Sequence, residues 1–301
     1  MMSLRTRVPL EQDVPELREL IDAQEREFDP NHKPAGSSWP TDLIKGYVDE
    51  PHNLVWCAQD GSIVAWASVQ VDAHRKRLEI EMFRRPQFPH IAEVWDWCLD
   101  VAASKYSGWD VWPAISSLDD ELANTLTSTG FTLLRRYYFL TRPLNSEEFP
   151  GLPHNVTVER MHSPDDFREW HSAHQDSFSR HFGFSPRPAE TWIDHFLKSD
   201  AADPDGRFLL REDGAVAGFV SCSLENSHLN GGFIELLGVR HDYQRRGYGE
   251  LLLRWAIAYS ASRGYSDIGL SVDTGNQSGA LALYERVGFT RLSEFHVYAK
   301  S

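Results

Sequence analysis

The residue types best suited to chemistry gather between Phe233 and Phe289. Phe233-Ile234-Glu235-Leu236-Leu237-Gly238-Val239 reads as an apolar strand carrying one carboxylate. Arg240-His241-Asp242-Tyr243-Gln244-Arg245-Arg246-Gly247-Tyr248-Gly249-Glu250 follows as a polar, glycine-containing loop. From Tyr248 onward the apolar positions Tyr248, Leu251, Leu252, Trp255, Ala256 and Tyr259 share one helical face, and Gly264 stops the helix. Residues 245–250 are thus the first turn of a helix entered directly from a strand. The first amides of a helix lack internal acceptors and sit at the positive end of its dipole, so they suit an anion such as a pyrophosphate. Gly247 and Gly249 let phosphate oxygens approach the backbone, and Arg245 and Arg246 add positive charge. The spacing is neither that of a Walker loop nor the GxGxxG fingerprint. Taken alone, the two glycines fit better the plain role of easing a tight strand-to-helix turn.

A second segment adds weight. Leu270-Ser271-Val272-Asp273 reads as a strand, then comes Thr274-Gly275-Asn276-Gln277-Ser278-Gly279, and Ala280 to Val287 reads as a short helix ended by Gly288-Phe289. Gln244-Arg245-Arg246-Gly247-Tyr248-Gly249 resembles the [QR]-x-x-G-x-[GA] loop of the Gcn5-related N-acetyltransferases (GNAT superfamily). Residues 276–289 resemble that family's second signature, N-x-x-[AG]-x-x-L-Y-x-x-x-G-F, with Ala280 one position further along. The likeness covers residues 205–300, whereas the first half matches only in layout. It implies that acetyl-CoA is the cosubstrate. Leu237, Gly238 and Val239 would then meet the pantetheine arm, and Gln244, Arg245, Arg246, Gly247, Tyr248, Gly249 and Glu250 would hold the pyrophosphate. Asn276 would bond the cosubstrate or brace the neighbouring strand, and Tyr284 would lie near the sulfur. The family's usual proline two residues after the strand-end valine is His241 here.

The implied reaction is attack of a neutral amine on a thioester within one ternary complex, which needs a base, orientation and a donor to the oxyanion. A backbone amide near Val239 suits the oxyanion, and the Tyr284 phenol suits protonation of the departing thiolate. Glu235, two residues before Leu237, is the chosen base; a solvated or salt-bridged strand residue is the competing reading. Asp273 is the second choice. Glu225 and His228 would line the acceptor side or serve as loop residues. The leading expectation is an acetyl-CoA-dependent N-acetyltransferase acting on a small-molecule amine. A CoA-binding sensor or scaffold without turnover, or a transferase with another acyl group or acceptor, is the alternative.

The elements that must position these residues occur twice. Asp60-Gly61-Ser62-Ile63-Val64-Ala65-Trp66 and Asp213-Gly214-Ala215-Val216-Ala217-Gly218-Phe219 each place a DG turn before an apolar strand. Trp97, Ala103-Ser104-Lys105 and Gly130-Phe131 recur as Trp255, Ala261-Ser262-Arg263 and Gly288-Phe289 at a single offset of 158 residues. Three prolines and a glycine between 143 and 153 mark a boundary near 150, giving domains 1–150 and 151–301. Each half reads helix, strands, helix, strand, helix, strand. The expected fold class is mixed α/β: two tandem GNAT-like domains, each a mostly antiparallel mixed sheet flanked by helices, an architecture like that of the mycothiol-synthase type. In the first half Arg84-Arg85-Pro86-Gln87-Phe88-Pro89-His90 stands where the phosphate loop should be, and proline removes amides. At the 158 offset Tyr284 and Asn276 become Leu126 and Leu118. One cofactor site, within residues 154–301, is therefore expected, with the first domain supporting the fold and walling an acceptor cleft.

His171, His174, His181 and His195 invite a metal reading, but no cysteine or acidic ligand stands at metal-type spacing, so no metal is expected. Phe182, Phe184, Trp192, His296 and Tyr298 are candidates to line a pocket or the core. The 301 residues carry 41% hydrophobic and 25% charged side chains, which suits globular domains rather than disorder. No apolar run long enough to span a membrane and no apolar signal core are present, and Cys57, Cys98 and Cys222 form no framework; a cytoplasmic protein is expected. A net charge of −14 disfavours nucleic acid and anionic membranes as partners and favours cationic small molecules at long range. A monomer or homodimer fits this reading.

Overall fold

The computed structural model describes residues 4–28, 41–199, 201–276 and 279–300. Gln277 and Ser278 of the second signature lie outside the described residues. The described chain falls into two compact units, one running to Tyr137 and taking in Glu294 onward, the other Tyr138–Ser293.

Both sequence halves give the same succession of elements. In the first these are β1 (Arg5–Arg7), α1 (Val14–Phe28), α2 (Thr41–Val48), β2 (Asn53–Cys57), β3 (Ile63–Asp72), β4 (Arg77–Arg84), α3 (Ile91–Lys105), β5 (Asp110–Ser116), α4 (Asp120–Ser128) and β6 (Phe131–Pro143). In the second they are β7 (Val156–Arg160), α5 (Pro164–Phe178), α6 (Ala189–Leu197), β8 (Ala202–Glu212), β9 (Ala215–Ser223), β10 (Gly231–Val239), α7 (Tyr248–Ser262), β11 (Asp267–Asp273), α8 (Ala280–Arg286) and β12 (Thr290–Lys300). The sequence pattern carries this order except for the short leading strands β1 and β7 and the doubling of the first helix.

Local chemistry explains the boundaries. Asp213 and Gly214 both take positive φ, 50° and 81°, the conformation a two-residue hairpin loop demands, and Glu212 then pairs with Ala215. The first-half hairpin is looser: residues 58–62 connect β2 to β3, with Gly61 at φ 91° and the Asp60 carboxylate accepting from the Ser62 amide. Ser163 caps α5 and exchanges hydrogen bonds with Asp166, with Pro164 in the first turn. Gly130 and Gly288, the repeated pair, end their helices at φ 89° and 95°.

In the second unit β7, β8, β9 and β10 form an antiparallel run, and β10 then pairs with β11 in parallel. One face of this sheet carries Phe208, Leu210, Ala217, Val220, Ile234 and Leu270 against α7 and α8. The other carries Leu209, Val216 and Phe219 against Trp170 and Ala173 of α5 and Trp192 of α6. In the first unit β1, β2, β3 and β4 are antiparallel in the same way, β5 is parallel to β4, and Phe295–Val297 of β12 pairs with Ser116–Ala114. Alternation along each strand produces these two-sided cores. The fold class is thus the expected mixed sheet flanked by helices. Among the described residues no helix is long and apolar enough to cross a membrane.

Candidate functional site

Glu235 is where β10 changes partner. Parallel pairing with β11 ends at Ile234↔Leu270, while antiparallel pairing with β9 resumes one step out of register, from Ile234↔Cys222 to Leu236↔Ser221. Glu235 is the extra residue of this β-bulge, which bends the strand away from its neighbour. Past the bulge only β9 remains paired, up to Val239↔Gly218, and Arg240 N–H donates to the Ala217 carbonyl. Backbone groups alternate along a strand, so Leu237 and Val239 turn their N–H and C=O away from β9, into the gap beside β11. Gly238 is forced by packing: a Cβ there would stand 2.5 Å from Ser177 Oγ and 2.6 Å from Phe219 Cε1.

The loop after β10 is built to present amides. A single 3-10 turn, His241–Tyr243, leads to Arg245 at φ 63° and Gly247 at φ 86°, and Gly247 starts α7. The first amide to close a helical bond is that of Leu251, which donates to Gly247 O at 3.0 Å, so the N–H groups of Tyr248, Gly249 and Glu250 have no acceptor within the helix. Gly249 leaves ordinary contact room, 3.5 Å from its Cβ position to Leu283 Cδ2. Side chains hold the loop from behind. Gln244 Nε2 donates to Val239 O at 3.2 Å, and Tyr248 Oη donates to Glu212 Oε1 at 2.6 Å. Arg246, expected to charge the site, turns back instead: its guanidinium bonds Glu212 at 2.9 Å and Asp242 O at 2.9 Å and lies over the Tyr243 ring. Arg245 is exposed.

Glu235 itself is half-buried and accepts from Ser221 Oγ at 3.2 Å. Burial pushes its carboxyl up to about 7, against the opposing effects of the Ser221 bond and of Arg207, while Glu225 adds a little upward. Arg207 is buried, donates to Phe196 O at 2.9 Å, and has its own pKa lowered by burial. Burial also raises Glu225, and His228 is exposed. Tyr284, on α8, is buried against Phe289, and burial pushes its phenol up to about 12, so the hydroxyl keeps its proton at neutral pH. Asp273, the second choice for the base, accepts from the Gly275 amide at 2.8 Å and so shapes the turn before Asn276. Asn276 Nδ2 approaches His181 Nε2 at 3.4 Å, tying the α5–α6 loop to the β11–α8 turn; burial lowers His181, opposed by Asp273. His241 anchors the loop from its other side, its amide donating to Asp176 Oδ2 at 2.8 Å.

Other residues singled out in the sequence lie elsewhere. Trp192 is buried on Trp170, ring centroids 4.4 Å apart, while Phe182 is exposed and Phe184 half-buried. His296 and Tyr298 belong to the first unit, Tyr298 in its core. His171 bonds Arg187 O at 2.8 Å, His174 stacks on Phe178, and His195 packs on Phe196; among the described residues no group of metal-ligating side chains is assembled. Ser221, Arg207 and Glu212 were not flagged by sequence. The one signal for Ser221 is a hydroxyl, like that of Ser223, in an apolar strand next to the strand that carries Glu235.

The first unit closes the equivalent place. Arg84, at the end of β4, makes a buried bidentate pair with Asp119, 2.5 and 2.8 Å, and Asp119 caps α4 through the Leu122 amide. Leu126 is fully buried, and Gln87 takes φ 60° between the two prolines.

Residues 167–289 match the model of the acetyltransferase (GNAT) family. A mycothiol acetyltransferase of Streptomyces coelicolor is 29% identical over 170 residues, 53% of this chain and 52% of that protein, so the chain spans about half the length of the curated relatives it matches. Among solved structures, a GCN5-related N-acetyltransferase from Sphaerobacter thermophilus shares the fold at TM-score 0.81 with 20% identity, covering 99% of this chain and 95% of that one. A tandem GNAT protein from the clavulanic acid biosynthesis pathway does so at TM-score 0.73 with 13% identity, covering 99% and 98%. Family match, relatives and shared fold agree: residues 167–289 carry a domain that matches the acetyltransferase (GNAT) family model, in a chain whose fold is shared with tandem GNAT proteins.

Proposed function

We propose that the second unit transfers an acetyl group from acetyl-CoA to the amine of a small molecule. The observation that carries this reading is the parting of β10 from β11 at the bulged Glu235, followed within a few residues by the glycine-turned start of α7. Acetyl-CoA supplies the activated thioester. The amides of Tyr248, Gly249 and Glu250 hold its pyrophosphate, and the N–H and C=O of Leu237 align the pantetheine arm as a further strand would. Glu235, about half ionised near neutral pH, takes the proton from the incoming ammonium directly or through one water, leaving the nitrogen lone pair to attack. Val239 N–H donates to the thioester oxygen as it gains charge. The Tyr284 phenol, protonated at neutral pH, gives its proton to the departing thiolate, and the second proton that the nitrogen sheds as the amide forms returns to the phenolate through solvent. Holding both partners in place contributes the orientation that a direct transfer needs.

Free thiol released from acetyl-CoA in the presence of aminosugars, amino acids or polyamines tests the reading. Amine-dependent release is expected. Tight binding of acetyl-CoA with no amine-dependent thiol release would favour a sensor or scaffold, and no binding at all would sink the site assignment.

A further inference from the structure

Among its described residues the first unit has no glycine-turned loop after β4, yet it repeats the serine–carboxylate pair of the second. Glu81 immediately follows the last parallel pair between β4 and β5, Ile80↔Pro113, as Glu235 follows Ile234↔Leu270. Ser68 lies directly opposite Glu81 in the β3–β4 register, as Ser221 stands beside Glu235. The two halves differ in what the serine does. Ser221 donates to Glu235, whereas Ser68, 1% exposed, holds its Oγ with no hydrogen-bond partner among the described residues.

Paired residues of an antiparallel ladder share a face, so Ser68 and Glu81 point to the side of the sheet that carries Trp66 and Phe83 and packs on α1 and α2. Glu79 is two residues along on the same face and is neutralised by an ion pair with Arg77, whose guanidinium lies 4.2 Å over the Trp112 ring. Glu81 makes no ion pair or hydrogen bond among the described residues. Burial, and after it the Glu79 carboxylate, push the Glu81 carboxyl up to about 8. A buried Ser68 hydroxyl without a partner stands beside the half-buried Glu81 carboxyl, and the orphaned hydroxyl costs about 1–3 kcal/mol until a partner arrives.

We propose that Ser68 and Glu81 form a binding site in the first unit for the ammonium group of a small primary amine, separate from any acetyl-CoA site. An ammonium carries three donors and one positive charge, which matches a carboxylate and a hydroxyl oxygen together. The net charge of −14 draws such cations toward the chain. The arginine–aspartate lock that closes the end of β4 excludes a phosphate-bearing ligand there but lies on residues other than this pair. The inference goes beyond the transfer reaction and stands whether or not the second unit turns over.

Calorimetric titration of the whole chain with n-butylammonium and benzylammonium chloride at low salt tests it, with n-butanol and benzyl alcohol as uncharged controls. Saturable heat is expected from the amines and none from the alcohols. Glu235→Gln is expected to leave a site of unchanged affinity, within about twofold. Glu81→Gln should weaken it at least tenfold, about 1.4 kcal/mol, with a melting temperature at neutral pH no lower than the parent's, since glutamine removes a carboxylate that burial disfavours. Ser68→Ala should weaken it about threefold; a hydroxyl with only a structural role would leave amine affinity untouched when removed. No heat with either amine, heat abolished by Glu235→Gln alone, or heat indifferent to Glu81→Gln would each overturn the proposal.

Discussion

Replacing Glu235 by glutamine separates the two consequences of burying that carboxyl. Burial lifts it from the ordinary 4.5 to about 7, which at about 1.4 kcal/mol per tenfold disfavours the carboxylate by about 3 kcal/mol. Between these limits the native protein holds a proton that the unfolded chain has lost. Its contribution to stability is therefore complete below about pH 4.5 and is lost as pH rises through about 7. Glutamine has no proton to lose and can still accept from Ser221. Glu235→Gln should match the parent near pH 5 and become the more stable protein by about 2 kcal/mol near pH 8.5, read from urea midpoints at the two pH values. The same substitution should remove the limb of the kcat/KM profile that rises through about pH 7 and lower the plateau by about 10² to 10⁴. A variant no more stable than the parent at high pH would refute the burial argument, and a variant that keeps the rising limb would refute the base assignment.

Tyr284→Phe should lower kcat by about ten- to a hundredfold while the KM for acetyl-CoA stays within about threefold; equal loss of binding and turnover would count against proton donation. Gly249→Val should abolish acetyl-CoA binding in a titration, with the melting temperature held within a few degrees because the nearest atom to the new Cβ is 3.5 Å away. Gly238→Ala, whose Cβ would stand 2.5 Å from Ser177 Oγ, should destabilise by about 1–3 kcal/mol in urea denaturation; an unchanged midpoint would show that α5 yields freely. Arg84→Ala leaves Asp119 buried without its cation and should cost about 3–5 kcal/mol, with no loss of acetyl-CoA binding; lost binding would show the first unit's closed end to matter for the second.

Neighbours along the chain determined what the sequence alone disclosed. The DG hairpin, the apolar face from Tyr248, Gly247 at the start of α7 and Gly288 at the end of α8 follow from backbone dihedrals and helical periodicity, which a few adjacent residues set. Titration and pairing are different, because they depend on which strands meet. The proposed base Glu235 owes its surroundings to a bulge, to burial and to Ser221, fourteen residues away. Arg246 looked free to meet phosphate until Glu212, from another strand, claimed it. The repeat shows the limit most clearly: at the helix offset of 158 residues Glu235 falls on Arg77, and its true counterpart Glu81 becomes visible only from strand register. Loop lengths shift the numbering between elements without moving the strands, so hydrogen-bonded register keeps an equivalence that counting along the chain loses.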